Sequence, residues 1–273
     1  FGALPFWLTR EIPSYVDCFF ETVSGFTTTG ASILAEVESL SRGLLFWRSF
    51  THWVGGMGVL VFVMTVIPLG DNRSMHILRA EVPGPMVGKL VPRLKSTAKI
   101  LYGIYIVMTA IEVVLLLFGG MDLYDSLVHS FGTAGTGGFS VKNASIGAYQ
   151  SPYIEWVIAV FMLLFGINFN LYFFLLLGKI RTVLQSDELR CYLGIVGASI
   201  AVIAVNILPM YQKVGVAVRH AAFQVSSIIT TTGYATADFN GWPQLSRTIL
   251  VVLMFFGACA GSTGGGLKIA RLL

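Results

Sequence analysis

Residues 24–32 read SGFTTTGAS, and two later stretches, SFGTAGTGGFS at 130–140 and SSIITTTGYA at 226–235, repeat the same pattern. Each follows a half-apolar run: SYVDCFFETV from 14, DLYDSLVH from 122 and GVAVRHAAFQV from 215. Pairing Thr29-Gly30 with Thr136-Gly137 and Thr232-Gly233 gives spacings of 107 and 96 residues. The apolar stretch after each turn is interrupted by glycine at a similar offset, since Gly55, Gly166 and Gly257 follow the paired glycine by 25, 29 and 24 residues. Internal repetition at a fixed period defines a structural unit. Here the unit reads span, short helix, turn, span.

The short helix has about 11–15 residues, or about 16–22 Å at 1.5 Å per residue. That is too short for a hydrocarbon core of about 30 Å. The segment therefore reads as re-entrant, and irregular backbone at that depth survives only against protein or a watery cavity. The competing reading is a set of plain extracellular loops. The turns contain no carboxylate, His or Cys, so they offer only carbonyl and hydroxyl oxygens. Such oxygens replace the water shell of a monovalent cation, whereas a divalent ion recruits carboxylates. Glycine lets successive carbonyls face one side, and the negative C-terminal end of each short helix favours a cation there. Asp17, Glu21, Asp122 and Asp125 precede the turns and read as helix N-terminal partners or a mild attraction for cations.

Composition agrees. Of 273 residues, 55% are hydrophobic and 12% charged, about half the charged share of an average soluble domain. Mean hydropathy is +0.76, so apolar surface must face lipid. The net charge of +4 is too dispersed for a nucleic-acid surface, and Cys18, Cys191 and Cys259 lie too far apart for a metal or redox motif. Five stretches read as spans: Trp53–Gly70, Ile100–Phe118, Val157–Gly178, Cys191–Gln212 and Thr248–Leu267. Phe1–Leu8 reads as the tail of a sixth, so the chain reads as a fragment. Asp71–Lys99, Lys179–Arg190 and the terminal Lys268 and Arg271 together hold eleven Lys/Arg against four acids. The positive-inside rule places them in the cytoplasm.

With SGFTTTGAS stand WRSFTHWVGGMGVLVF (47–62), MHILRAEVPGPMVGKLVPR (75–93), HSFGTAGTGGFS, TTTGYATADFNGWP and GACAGSTGGGLK. This ordered set resembles the Trk/Ktr/HKT superfamily of potassium transporters, most of all the bacterial Trk membrane subunit, over nearly the whole chain. The resemblance implies an all-α membrane protein of span–pore helix–filter loop–span units around a pseudo-fourfold pore, three of the four filter loops lying in this chain. It implies a first repeat over 1–70 with a truncated outer helix, a cytoplasmic connector over 71–99, a second repeat over 100–180, a connector over 181–190 and a third repeat over 191–273. Potassium would be coordinated by the backbone of Thr28, Thr29 and Gly30, of Gly135, Thr136 and Gly137, and of Thr231, Thr232 and Gly233. Glycine at position 30, where sodium-selective plant members carry serine, favours potassium. Gly257, Ala258, Cys259, Ala260, Gly261, Ser262, Thr263, Gly264, Gly265 and Gly266, closed by Lys268, match the family's intramembrane gating loop. A small-residue packing surface is the competing reading of that segment.

The resemblance further implies uptake of K+ as cargo with no cofactor, a homodimer in the bacterial cytoplasmic membrane, and a cytoplasmic nucleotide-binding regulatory subunit. Two other functions stay open: sodium or proton-coupled cation transport within the same superfamily, and a non-conducting scaffold. No GxSxG, HExxH or paired nucleophile occurs, so the chain is not read as an enzyme. Glu112 sits inside a span, where a carboxylate is costly. It reads as a partner of the cytoplasmic-facing basic residues, a helix-bonding or protonated group, or part of the ion path. Asn168 and Asn170 interrupt the second inner helix after Gly166 and read as pore-lining or helix-bonding residues. Arg48, His52, His129, Arg219, His220 and Arg247 lie near the outer surface and read as interfacial anchors or loop hydrogen-bonding groups.

Overall fold

The computed structural model describes residues 1–58, 94–271 and 273. Its described residues are helical, with a single isolated bridge between Phe256 and Leu267 in place of any sheet. The helices are α1 (Leu4–Thr9), α2 (Tyr15–Phe26), α3 (Arg42–Gly56), α4 (Leu94–Phe118), α5 (Leu123–Ala134) and α6 (Pro152–Phe165). They continue as α7 (Phe169–Leu176), α8 (Ile180–Leu184), α9 (Asp187–Tyr211), α10 (Val214–Ile229) and α11 (Gln244–Phe255).

Lys99–Phe118 of α4, with 20 residues, and Asp187–Tyr211, with 25, are long and apolar enough to cross a membrane. On α4 the stripe Tyr105, Thr109, Glu112 and Leu116 is buried, while Ile106, Val107, Ile111, Val114 and Phe118 are exposed. The stripe follows the helical repeat of 3.6, so one face packs on protein and the rest is apolar and outward. The short helices show the converse: Ser126, Ser130 and Thr133 on α5, and Ser226 and Ser227 on α10, are all buried. Hydroxyls inside and hydrocarbon outside is the arrangement lipid selects.

The three short helices, α2, α5 and α10, have 12, 12 and 16 residues. The third exceeds the expected length and, at about 24 Å, is still shorter than a bilayer core. Two of them start on caps: the Ser14 side chain accepts from the Asp17 amide and Asp122 from the Asp125 amide. Each such cap contributes about 1 kcal/mol. α2 packs on α3, α5 between α3 and α4, and α10 between α6 and α9.

Two of the expected spans are broken beside the glycines that interrupt them in the sequence, Gly166 and Gly257. Val157–Gly178 divides into α6 and α7, bent by 90°, because the chain turns after Gly166 and Asn168 caps α7 by accepting from the Asn170 amide at 3.0 Å. Thr248–Leu267 is helical only to Phe255, and irregular backbone follows. The inner part of Trp53–Gly70 and most of the 71–99 connector lie outside the described residues.

Candidate functional site

The short helices end alike. The amides of Thr29, Gly137 and Thr232 each donate five residues back, to the carbonyls of Ser24, Gly132 and Ser227, at 2.9 Å. The preceding amides, of Thr28, Thr136 and Thr231, donate three residues back at 3.0–3.1 Å. This paired closure is the Schellman ending, whose C′ residue adopts the left-handed conformation and is normally glycine. In all three loops it is threonine, with φ of 54° at Thr28, 52° at Thr136 and 60° at Thr231. A β-branched residue there is a true outlier, costing about 1–3 kcal/mol each time, and such strain concentrates at functional sites.

Two residues beyond each threonine stands a glycine of positive φ: Gly30 at 73°, Gly138 at 76° and Gly233 at 84°. Thr136 and Gly138 are therefore the counterparts of Thr28 and Gly30. Pairing Thr-Gly dipeptides set the second loop one residue too early: Gly135 matches the helix-capping Thr27 and Thr230, and Gly137 matches Thr29 and Thr232. Lining GTGG up with TTTG would have found Gly138.

The loops meet in order. A methyl group on Gly30 would run into the Gly137 carbonyl oxygen, and one on Gly138 into the Thr232 carbonyl oxygen. Equivalent carbonyls thus stand against the glycine of the loop before. A methyl on Gly233 meets no described atom within 4 Å. In the first and third loops hydroxyl pairs flank the turn, Thr27 with Thr29 at 2.8 Å and Thr230 with Thr232 at 2.7 Å. The second loop has Gly135 and Gly137 there, and a methyl on Gly137 would strike the His52 ring. The His52 ring fills that space and stacks on Phe139 at 3.9 Å between centroids.

The Gly257–Lys268 segment touches the third loop at Thr231. Its ends are pinched by the Gly257 amide donating to the Leu267 carbonyl at 2.8 Å. The Cys259 amide donates to the Gly166 carbonyl and the Phe169 amide to the Gly261 carbonyl, both at 3.0 Å, so the segment satisfies backbone groups freed by the α6/α7 break. The Thr263 hydroxyl donates to the Phe165 carbonyl at 3.3 Å and the Gly265 amide to the Thr231 hydroxyl at 2.7 Å. Glu188 accepts from the Ala260 amide, and Lys268 donates to the Gly264 carbonyl. Ala258, Cys259 and Ala260 are buried. Asn168 works as a cap and as a neighbour of Gly261.

Several side chains depart from their expected places. Arg48, His52 and His129 are buried instead of anchoring an outer surface, while Arg48 and His129 do make loop hydrogen bonds, both to Ser140. Arg48 pairs with Glu21 at 2.9 Å, lies over the Phe139 ring with its Cζ 3.4 Å from the centroid, and reaches the Ser140 carbonyl. Glu21 also accepts from the Ser32 hydroxyl at 2.6 Å and the Ile33 amide at 2.8 Å. It is an internal partner, neither a helix-start acid nor a lure for cations. Asp125 accepts from Tyr149, whose phenol is held well above its ordinary range by burial and by that hydrogen bond. Glu112 is fully buried beside Thr133 of α5.

The TrkH family, described as cation transport protein, matches residues 2–273. The chain belongs to the TrkH family. The Trk system potassium uptake protein TrkH of Escherichia coli K12 is 42% identical over 279 residues, covering 100% of this chain and 57% of the relative. TrkH of Halomonas elongata is 37% identical over 277 residues, covering 58% of that protein. The crystal structure of the potassium transporter TrkH from Vibrio parahaemolyticus superposes with a TM-score of 0.84 at 34% identity, over 99% of this chain and 56% of that one. The chain thus spans little more than half the length of these TrkH relatives.

Proposed function

We propose that this chain supplies three of four loops of a potassium-selective filter in a multi-pass protein of the bacterial cytoplasmic membrane. The carrying observation is the ordered contact of Gly30 with the Gly137 carbonyl and of Gly138 with the Thr232 carbonyl. Alternating φ signs at Thr28 to Gly30, and at their counterparts, turn neighbouring carbonyls toward one side. Bare peptide oxygens fixed in this way replace the hydration shell of an alkali ion. The ligands are the backbones of Thr28, Thr29 and Gly30, of Thr136, Gly137 and Gly138 with Gly135 capping α5, and of Thr231, Thr232 and Gly233. α2, α5 and α10 are re-entrant pore helices within repeats bounded as 1–70, 100–180 and 191–273, joined by cytoplasmic connectors at 71–99 and 181–190. The fourth loop comes from the rest of the polypeptide.

Gly257–Lys268 serves as the gating loop. Its stem is fixed to the second repeat and its tip to Thr231, so movement there reaches the filter directly. The complete protein takes up K+ as a homodimer under a cytoplasmic nucleotide-binding regulatory subunit. Flux of K+ and Na+ through the complete protein in proteoliposomes tests the reading. Gly30→Ser, which forces a side chain against the neighbouring carbonyl, lowers the K+/Na+ ratio by about tenfold, a difference of about 1.4 kcal/mol. An unchanged ratio refutes the assignment.

A further inference from the structure

Loops one and three share a bond that loop two lacks the means to make. In loop one the Ser24 hydroxyl donates to the carbonyl of Ala31, seven residues on, at 2.6 Å. In loop three the Ser227 hydroxyl donates to the carbonyl of Tyr234, again seven residues on and again at 2.6 Å. Each bond ties the last turn of the short helix to the strand leaving the Thr/Gly turn. The corresponding pair in loop two is Gly132 and Phe139, and Gly132 has no hydroxyl. Without a donor the Phe139 carbonyl would be a buried acceptor lacking its counterpart bond, and such groups are costly.

The donor arrives from the next loop. Tyr234 Oη lies 3.2 Å from the Phe139 carbonyl oxygen and 3.0 Å from that of His129, so its single O–H is shared between them. A methyl group on Gly132 would run into this same phenol oxygen. The Tyr234 hydroxyl therefore occupies the place a serine side chain holds in the other two loops. Tyr234 and Phe139 are both buried, at 1% and 2% exposure, so bulk water does not substitute for the bond. Tyr234 immediately follows Gly233, which couples its placement to the geometry of the third loop.

We propose that Tyr234 is a positioning residue that supplies, from the third loop, the hydroxyl missing at Gly132, and thereby sets the second loop's carbonyls for ion selection. This rests on the filter reading above. The glycine at 132 and the tyrosine at 234 form one functional unit: small where the phenol enters, hydroxylated where the serine is absent. Gly132→Ser and Tyr234→Phe together restore a hydroxyl on the local chain and remove the incoming one.

The test measures K+/Na+ flux ratios of the complete protein in proteoliposomes for wild type, Tyr234→Phe, Gly132→Ser and the double variant. Tyr234→Phe lowers the ratio by about tenfold and Gly132→Ser lowers it similarly by crowding, both magnitudes typical of site-to-site coupling. The double variant recovers to within about threefold of wild type, a suppression that general loss of packing does not produce. A Tyr234→Phe protein with the wild-type ratio, or a double variant no better than either single one, overturns the inference. If Tyr234→Phe fails to accumulate in the membrane, accumulation decides: recovery on adding Gly132→Ser supports it, and none overturns it. A wild-type protein that carries sodium as readily as potassium overturns the filter reading as well, so the two failures are distinct.

Discussion

The contact between the first and second loops and the contact between the second and third hold the same kind of backbone in different ways. At the first, α3 sends in Arg48 and His52, one helical turn apart, against Phe139 and Ser140. Arg48 is held by Glu21, which also accepts from Ser32 and Ile33 on the strand leaving the first turn. At the second, one phenol bridges to two carbonyls, with the Ala235 amide on the Ser145 hydroxyl and the Gly147 amide on the Ala235 carbonyl beside it. A buried ion pair fixes geometry at a high desolvation cost, whereas a neutral hydroxyl contributes about 0.5–1.5 kcal/mol when satisfied. Near-equivalent loops thus differ in how sharply they respond to the loss of one partner.

That difference orders the expected effects. Arg48→Ala strands the Glu21 carboxylate in the interior and lowers thermal stability of the complete protein by about 3–5 kcal/mol. Pairing Arg48→Met with Glu21→Gln returns most of it, so the melting temperatures of the two variants separate the cost of a stranded charge from lost packing. Equal destabilisation by both would show that the ion pair is incidental to the first contact. Thr231→Val gives a smaller effect. It keeps the branched side chain at the left-handed position but removes the acceptor for the exposed Gly265 amide, a bond worth about 0.5–1.5 kcal/mol. Hydrogen exchange of the Gly261–Gly266 amides should quicken while exchange in α5 stays as it was. Unchanged exchange at Gly265 would mean that the Gly257–Lys268 segment is not tied to the third loop.

Much of this architecture is legible in the residues alone. The threefold Thr/Gly turn, the two long apolar helices and the interruption at Asn168 each leave a local signature, because periodicity and helix breakers act over a few residues. The register of the second loop is not legible in the same way. Gly135, Gly137 and Gly138 all tolerate either backbone hand, so GTAGTGG fits both the Thr-Gly pairing and the GTGG-to-TTTG pairing until the hydrogen bonds of Thr136 and Gly137 decide for the second. The pairs that support the loops are equally hidden: Glu21 and Arg48 are 27 residues apart, and Tyr234 and Phe139 are 95 apart. Charged and aromatic residues near an outer face read as anchors from sequence because nothing local says that they turn inward. The three left-handed threonines are the exception in kind, since a sequence favours glycine there and only the assembled site explains the strain.

In the proposed filter, carbonyl oxygens from three successive loops face one ion. Crystals of the complete protein grown in thallium or rubidium, read by anomalous scattering, test it without reference to flux. A peak is expected on the axis enclosed by the backbones of Thr28, Thr136 and Thr231 and the residues that follow them. Anomalous density confined to carboxylates elsewhere, with these three turns unoccupied under ion concentrations that saturate transport, would contradict it.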